Sequence, residues 1–188
     1  MTAFQPPLKL VVSGPVGAGK TTFVQTISET PVVATEAEAS EDIGKTHTTV
    51  AFDFGTLRLD GQDVHLYGTP GQDRFNFMWE VLCEGALGLL LLVAGNRPED
   101  FAHARNMLDF ITSRIPVPFL VGVTRQDQPL VWQPEDVALY FGLPERQVVG
   151  LNATDPDQVR LTLATLLELQ LNPVPTAEHP ALSSAELH

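Results

Sequence analysis

One eight-residue stretch, Gly14-Pro15-Val16-Gly17-Ala18-Gly19-Lys20-Thr21, limits what this chain can fold into more than any other feature. It follows the apolar run Leu8 to Val12, precedes a segment of helical character, and spells G-x-x-x-x-G-K-T, the spacing of a phosphate loop between a strand and a helix. A polyphosphate has to be met by backbone N–H groups, and glycines let the chain curl until successive amides converge on its oxygens. The helix that follows adds unpaired donors and the positive end of its dipole. In this pattern Gly14, Val16, Gly17, Ala18, Gly19 and Thr22 surround the phosphates, and Lys20 reaches the β- and γ-phosphates. The Thr21 hydroxyl takes one position around a bridging Mg2+. A glycine-rich turn that merely contains a lysine is the plainer alternative; the strand and helix on either side argue against it.

The chain has 188 residues, enough for one α/β domain with a sizeable core and too few for a second of ordinary size. We expect a flexible start over 1–7, one domain over 8–171, and a disordered tail over 172–188, where three prolines sit among small polar residues. A formal net charge of −12 argues against general nucleic-acid binding and against an anionic membrane surface. Lys and Arg number only 11, so the few cations beside glycine-rich loops are expected to serve bound phosphate. The single cysteine, Cys83, lies in an apolar stretch and reads as a small buried hydrophobe. The N-terminal residues lack the pattern of a secretory signal, and the longest apolar run, Ala86 to Ala94, is far short of a membrane span. A cytoplasmic, membrane-free and monomeric protein is the expectation.

Strands alternate with helices along the rest of the chain. Val50 to Leu59 and Gln62 to Tyr67 flank Asp60-Gly61, a hairpin signal, and Ala86 to Val93 has the continuous aliphatic character of a central parallel strand. Val117 to Val123 and Gln147 to Gly150 supply further strands. Helices are expected over Thr21–Ser28, Asp73–Glu84, Pro98–Arg114, Glu135–Phe141 and Pro156–Leu171, the last started by Asp155. Glu29 to Thr49 shows no periodicity and reads as a mobile loop. The fold class is therefore α/β, a P-loop NTPase with a mostly parallel sheet of about six strands, one antiparallel edge strand and helices on both faces.

Two later loops bear on the base. Thr124-Arg125-Gln126-Asp127 ends a strand at the edge where open α/β sheets bind ligands. A carboxylate at Asp127 there can accept both N–H donors of a guanine, although an ordinary turn carboxylate is the simpler reading of Asp127 alone. Asn152-Ala153-Thr154 follows the last strand, and the Ala153 N–H can donate to the guanine carbonyl.

With these segments in view, residues 8–171 resemble a Ras-like small GTPase, and more closely the prokaryotic GTPases related to the gliding-motility protein MglA that accompany roadblock-fold proteins. The resemblance is carried by Gly14 to Thr21, Thr48 to Gly55, Gly68-Thr69-Pro70-Gly71-Gln72-Asp73-Arg74-Phe75, and Thr124 to Asp127. It implies a Ras-like G domain that binds GTP and GDP with Mg2+ and is governed by a roadblock-fold regulator. It makes Thr49 the residue that senses metal and γ-phosphate, with Thr48 as fallback, unless the pair simply begins a strand. Gly71 would offer an N–H to the γ-phosphate, and Gln72 would orient the attacking water, making Gln72 and Lys20 the catalytic pair.

Three departures limit what the resemblance carries. The aspartate that usually begins the third segment is Gly68 here, so Asp53 is a candidate replacement metal ligand, its alternative being a surface position on the strand. Val16 stands where glycine is usual and would crowd an arginine offered by a partner, so hydrolysis is expected to be slow. Thr124 replaces an asparagine, while Arg125 can stack on the base as lysine does. A guanine-nucleotide switch is the resulting reading. Its competitors are a nucleotide-bound scaffold that no longer hydrolyses, supported by Gly68 and Val16, and a small-molecule kinase, opposed by the sparse arginines. Phe75, Phe77, Met78 and Trp79 are either a partner surface or the packed face of a helix.

Overall fold

In the computed structural model, which describes residues 5–40, 47–72 and 76–172, the aliphatic runs form a seven-stranded sheet with helices on both faces. The strands are β1 (Leu8–Ser13), β2 (Val33–Ser40), β3 (His47–Leu59), β4 (Gln62–Gly68), β5 (Gly88–Ala94), β6 (Phe119–Thr124) and β7 (Val148–Gly150). The helices are α1 (Lys20–Ile27), α2 (Asn76–Cys83), α3 (Phe101–Thr112), α4 (Pro134–Phe141) and α5 (Pro156–Leu171). The sheet order is β2-β3-β4-β1-β5-β6-β7. β3 alone runs against its neighbours β2 and β4, and every other pairing is parallel. The expected α/β class with one antiparallel strand is the observed one.

Side-chain alternation explains the layering. In β1 and β5, Leu10, Val12, Leu90 and Leu92 face a core closed by Phe23 and Ile27 of α1 and Leu163 and Leu166 of α5. Val11, Leu89, Leu91 and Val93 face the opposite core, closed by Trp79 of α2, Met107 and Ile111 of α3, and Val137 of α4. All seven residues of β5 are buried, as a strand covered on both faces requires. The space between layers is tight enough that a Cβ on Gly122 would approach Leu92 Cδ2 to 2.7 Å. The chain leaves β1 toward the β4 side of the sheet and β5 toward the β6 side, so the loops after β1 and β5 flank the switch point between those two strands, where such folds take ligands.

The hairpin forms as expected: Leu59 pairs with Gln62, and Asp60 and Gly61 turn the chain with φ of 49° and 81°. Both values are positive, the requirement of the tight turn that suits twisted strands. Part of the segment expected as a loop is strand: Val33–Ser40 pairs antiparallel with β3 from Val33↔Phe54 to Ser40↔His47. Its small and acidic residues have weak β preference, which hid a strand specified by backbone pairing with β3. Of the possible partner surface, Met78 and Trp79 are buried at 4% and 3% exposure, so they belong to the helix's packed face. Phe75 lies outside the described residues.

The start of α5 shows why its boundary was legible. The Asp155 carboxylate accepts from the N–H groups of Asp157 (3.0 Å) and Gln158 (3.3 Å), and Pro156 occupies the first turn. Asp155→Ala should cost about 1 kcal/mol of stability, read as a lowered midpoint in urea unfolding with an unchanged slope.

Candidate nucleotide-binding site

The phosphate loop leaves β1 at Gly14, where φ is 144° and a Cβ would run into the Leu92 carbonyl, so only glycine lets the loop pass β5. Gly17 and Gly19 also have positive φ, and Gly19 stands directly before α1. Ala18 is buried, Val16 and Gly17 are exposed, and Thr22 is exposed on the first turn of α1. Lys20 folds back over the loop, its Nζ donating to Gly14 O (2.7 Å) and Pro15 O (2.8 Å). Burial pushes its pKa down to about 8, and the nearby Asp53 carboxylate opposes the shift.

Three other loops converge on this one. From the sheet's antiparallel side, Asp53 Oδ2 accepts a hydrogen bond of 2.5 Å from the Thr21 hydroxyl. Asp53 pairs directly across β3–β4 with Gly68, where a Cβ would lie 3.1 Å from Asp53 Cβ. The absence of a side chain at position 68 thus makes room for the carboxylate arriving from the neighbouring strand.

Thr69 to Gln72 arrive next. The Thr69 N–H and hydroxyl donate to Val12 O (2.8 Å) and Ser13 Oγ (2.9 Å), and Trp79 Nε1 donates to Pro70 O (2.8 Å). His103 Nε2 lies 3.1 Å from Gly71 O. Gly71 is seated on the phosphate loop so closely that a Cβ would lie 2.6 Å from Val16 N and 2.8 Å from Lys20 Nζ. Gln72 is exposed beside it, while Asp73 and Arg74 lie outside the described residues.

The base-side loops complete the arrangement. The Thr124 hydroxyl donates to Ala18 O (2.8 Å), and Arg125, at φ 65°, brings Nη2 to 3.5 Å from Gly17 O. Arg125 Nε is buried without a hydrogen-bond partner among the described residues. A Cβ at Gly19 would be 3.7 Å from the Thr124 methyl and 3.8 Å from Ala153 Cβ, so all three loops touch. Asn152 Oδ1 accepts from the Thr154 N–H (3.0 Å) and hydroxyl (2.7 Å), and Thr26 donates to Ala153 O (2.7 Å). Asp127 is exposed at the end of β6.

The residues singled out from sequence are therefore gathered at one edge, with one exception. Thr49 lies within β3, paired with Glu38, four residues before Asp53 and about 13 Å further along the strand at the usual rise. Arg97 was not singled out, yet its Nη1 lies 2.5 Å from where a Cβ on Gly17 would sit. The signal was present in the sequence: a cation two residues after Gly95, at the end of a central strand.

Residues 31–177 match a protein family described as a conserved hypothetical ATP binding protein. The chain belongs to this family. The match begins after the phosphate loop, so the loop is a second, separate indication of nucleotide binding. Uncharacterized protein MJ1339 of Methanocaldococcus jannaschii is 31% identical over 93 residues, 48% of this chain and 53% of that protein, so the alignment spans about half of each. Membership in an ATP-binding family corrects the assignment to the Ras-like, MglA-related GTPases. The motifs behind that resemblance describe chemistry suited to a nucleotide, and such chemistry does not identify one branch of the fold. The expected roadblock-fold regulator rested on the same resemblance and loses that support. Among the described residues no helix is long and apolar enough to cross a membrane.

Lys20 provides a pH test. Its charge is lost as pH rises past about 8, while a bound polyphosphate favours the protonated form. Nucleoside triphosphate affinity should therefore be flat below pH 8 and fall above it, by up to tenfold per pH unit, in fluorescent-nucleotide titrations. Lys20→Arg, which stays charged, should flatten that fall.

Proposed function

We propose that this protein is a nucleotide-operated switch that binds GTP and hydrolyses it slowly to GDP and phosphate. The observation that carries the reading is the seating of Gly71 on Val16 and Lys20. A γ-phosphate held by Lys20 has to engage or displace the Gly71–Gln72 peptide. That peptide's loop is tied through Pro70 to Trp79 of α2 and through Gly71 to His103 of α3. Occupancy of one phosphate position is thereby coupled to the placement of two helices, which a partner protein can read.

In hydrolysis, a water oriented by Gln72 attacks the γ-phosphorus in line; the new oxygen–phosphorus bond forms as the bond to the β-phosphate oxygen breaks. Lys20 and the loop amides stabilise charge on the transferring group and on the departing diphosphate. The Thr21 hydroxyl and the Asp53 carboxylate are hard oxygen donors at one point beside the loop, a set that fits Mg2+. They would hold the ion, which neutralises phosphate charge when bound. Guanine selectivity is assigned to Asp127 and the Ala153 N–H, with the Arg125 side chain against the base.

Two competing readings keep a specific support. The family description favours adenine, and the exposed Val16, 56% accessible at the loop crest, favours a nucleotide-bound scaffold without turnover. Nucleotide released from the purified native protein by denaturation and separated by chromatography should be guanine nucleotide; adenine nucleotide would refute the base assignment. Single-turnover phosphate release from bound GTP should be slow, and Gln72→Leu should reduce it at least tenfold with GTP affinity retained. Absence of release from the native protein would establish the scaffold reading.

A further inference from the structure

Arg97 stands at the rim of the phosphate loop in a way that its own ion pairs do not account for. It follows β5, on the other side of the sheet's switch point from the loop that leaves β1. Its Nε is 2.9 Å from Asp100 Oδ2 and 3.8 Å from Glu99 Oε1. The Asp100 carboxylate thus lies at the Nε edge of the guanidinium, with Glu99 further off. Nη1 is left against Gly17, 2.5 Å from the place where any side chain at that position would begin. Among the described residues the Nη groups donate to no protein acceptor, and the side chain is 41% exposed.

The surroundings sharpen the point. The chain carries a net charge of −12 and only 11 Lys and Arg residues, yet three cations meet at this loop: Lys20 on Gly14 and Pro15, and Arg97 and Arg125 both at Gly17. The three cations concentrate positive charge at the rim of the loop, a placement that suits an anion with several oxygens. Gly17 is the residue of the loop that both arginines approach, and its lack of a side chain is what admits the Arg97 guanidinium.

We infer that Arg97 is a phosphate-binding residue, supplied from the β5–α3 connection, whose free Nη edge takes an oxygen of a bound nucleoside di- or triphosphate at Gly17. Asp100 is its positioning residue, holding the fork in orientation through Nε. This rests on the nucleotide reading above and adds to it a cation outside the phosphate-loop motif. Because Lys20 and Gly71 occupy the γ-phosphate end of the loop, the Arg97 contact serves diphosphate as well as triphosphate.

The test is displacement of a fluorescent N-methylanthraniloyl nucleoside triphosphate by unlabelled mono-, di- and triphosphates, on native protein, Arg97→Ala, Arg97→Gln, Arg97→Lys and Asp100→Asn. The expected result for Ala and Gln is a roughly tenfold to hundredfold loss for di- and triphosphate, the range of a charge-assisted hydrogen bond. Monophosphate competition should be unchanged, Arg97→Lys should regain part of the loss, and Asp100→Asn should show a smaller one. Thermal melts check that each variant is folded. Equal di- and triphosphate affinity in native protein and both Arg97 variants overturns the inference. An equal loss for mono-, di- and triphosphates does so too, since that is the mark of a merely structural role. Failure of native protein to bind any of the nucleotides overturns the nucleotide reading and this inference together.

Discussion

The hydrogen bond from the Thr21 hydroxyl to the Asp53 carboxylate is the contact on which the site's geometry turns. It joins the first turn of α1 to the one strand that runs against the rest of the sheet. In the family that the chain resembles, a carboxylate beside the phosphate loop sits at the position of Gly68, the end of β4, one of the two strands parallel to β1. This chain moves the charge one strand outward. Gly68 has no side chain, Asp53 stands directly opposite it, and the carboxylate reaches the place that a residue at 68 would have served. The contact contributes roughly 1–2 kcal/mol at a partly exposed position, a modest amount. Its larger consequence is positional, since β3 must stay in register for the carboxylate to be there.

The rest of the site follows from close approach. Gly14 passes the Leu92 carbonyl, Gly71 lies on Val16 and Lys20, and Gly17 admits Arg97, so three glycines set three contacts between neighbouring loops. Gly71 lies on Lys20, and burial of the ammonium is what lowers its pKa. A half-buried cation whose Nζ donates to two carbonyls is costly alone and favourable beside a polyphosphate.

The phosphate loop, the hairpin at Asp60-Gly61 and the Asp155 cap were legible because each is a local pattern with a single backbone solution. β2 was not, because Val33–Ser40 is a strand through its pairing with β3 and carries little strand preference of its own. The candidacy of Asp53 for the acidic residue absent at Gly68 came from the family resemblance, and the cross-strand register with Gly68 supplies its geometry. Thr49 shows the opposite case: a motif spacing placed it at the phosphates, and strand pairing holds its backbone elsewhere. Arg97 was hidden because its role depends on two crossovers bringing the ends of β1 and β5 together. Family assignment failed for a related reason, since loop motifs report the ligand's shape more strongly than the lineage of the chain.

The most direct test of the relocated carboxylate is the Mg2+ dependence of triphosphate affinity, measured with and without chelator, in native protein, Asp53→Asn, and the exchange pair Asp53→Gly with Gly68→Asp. The account predicts that Asp53→Asn loses most of the Mg2+-dependent gain and that the exchange pair regains a substantial part of it. A full Mg2+-dependent gain in Asp53→Asn would contradict it.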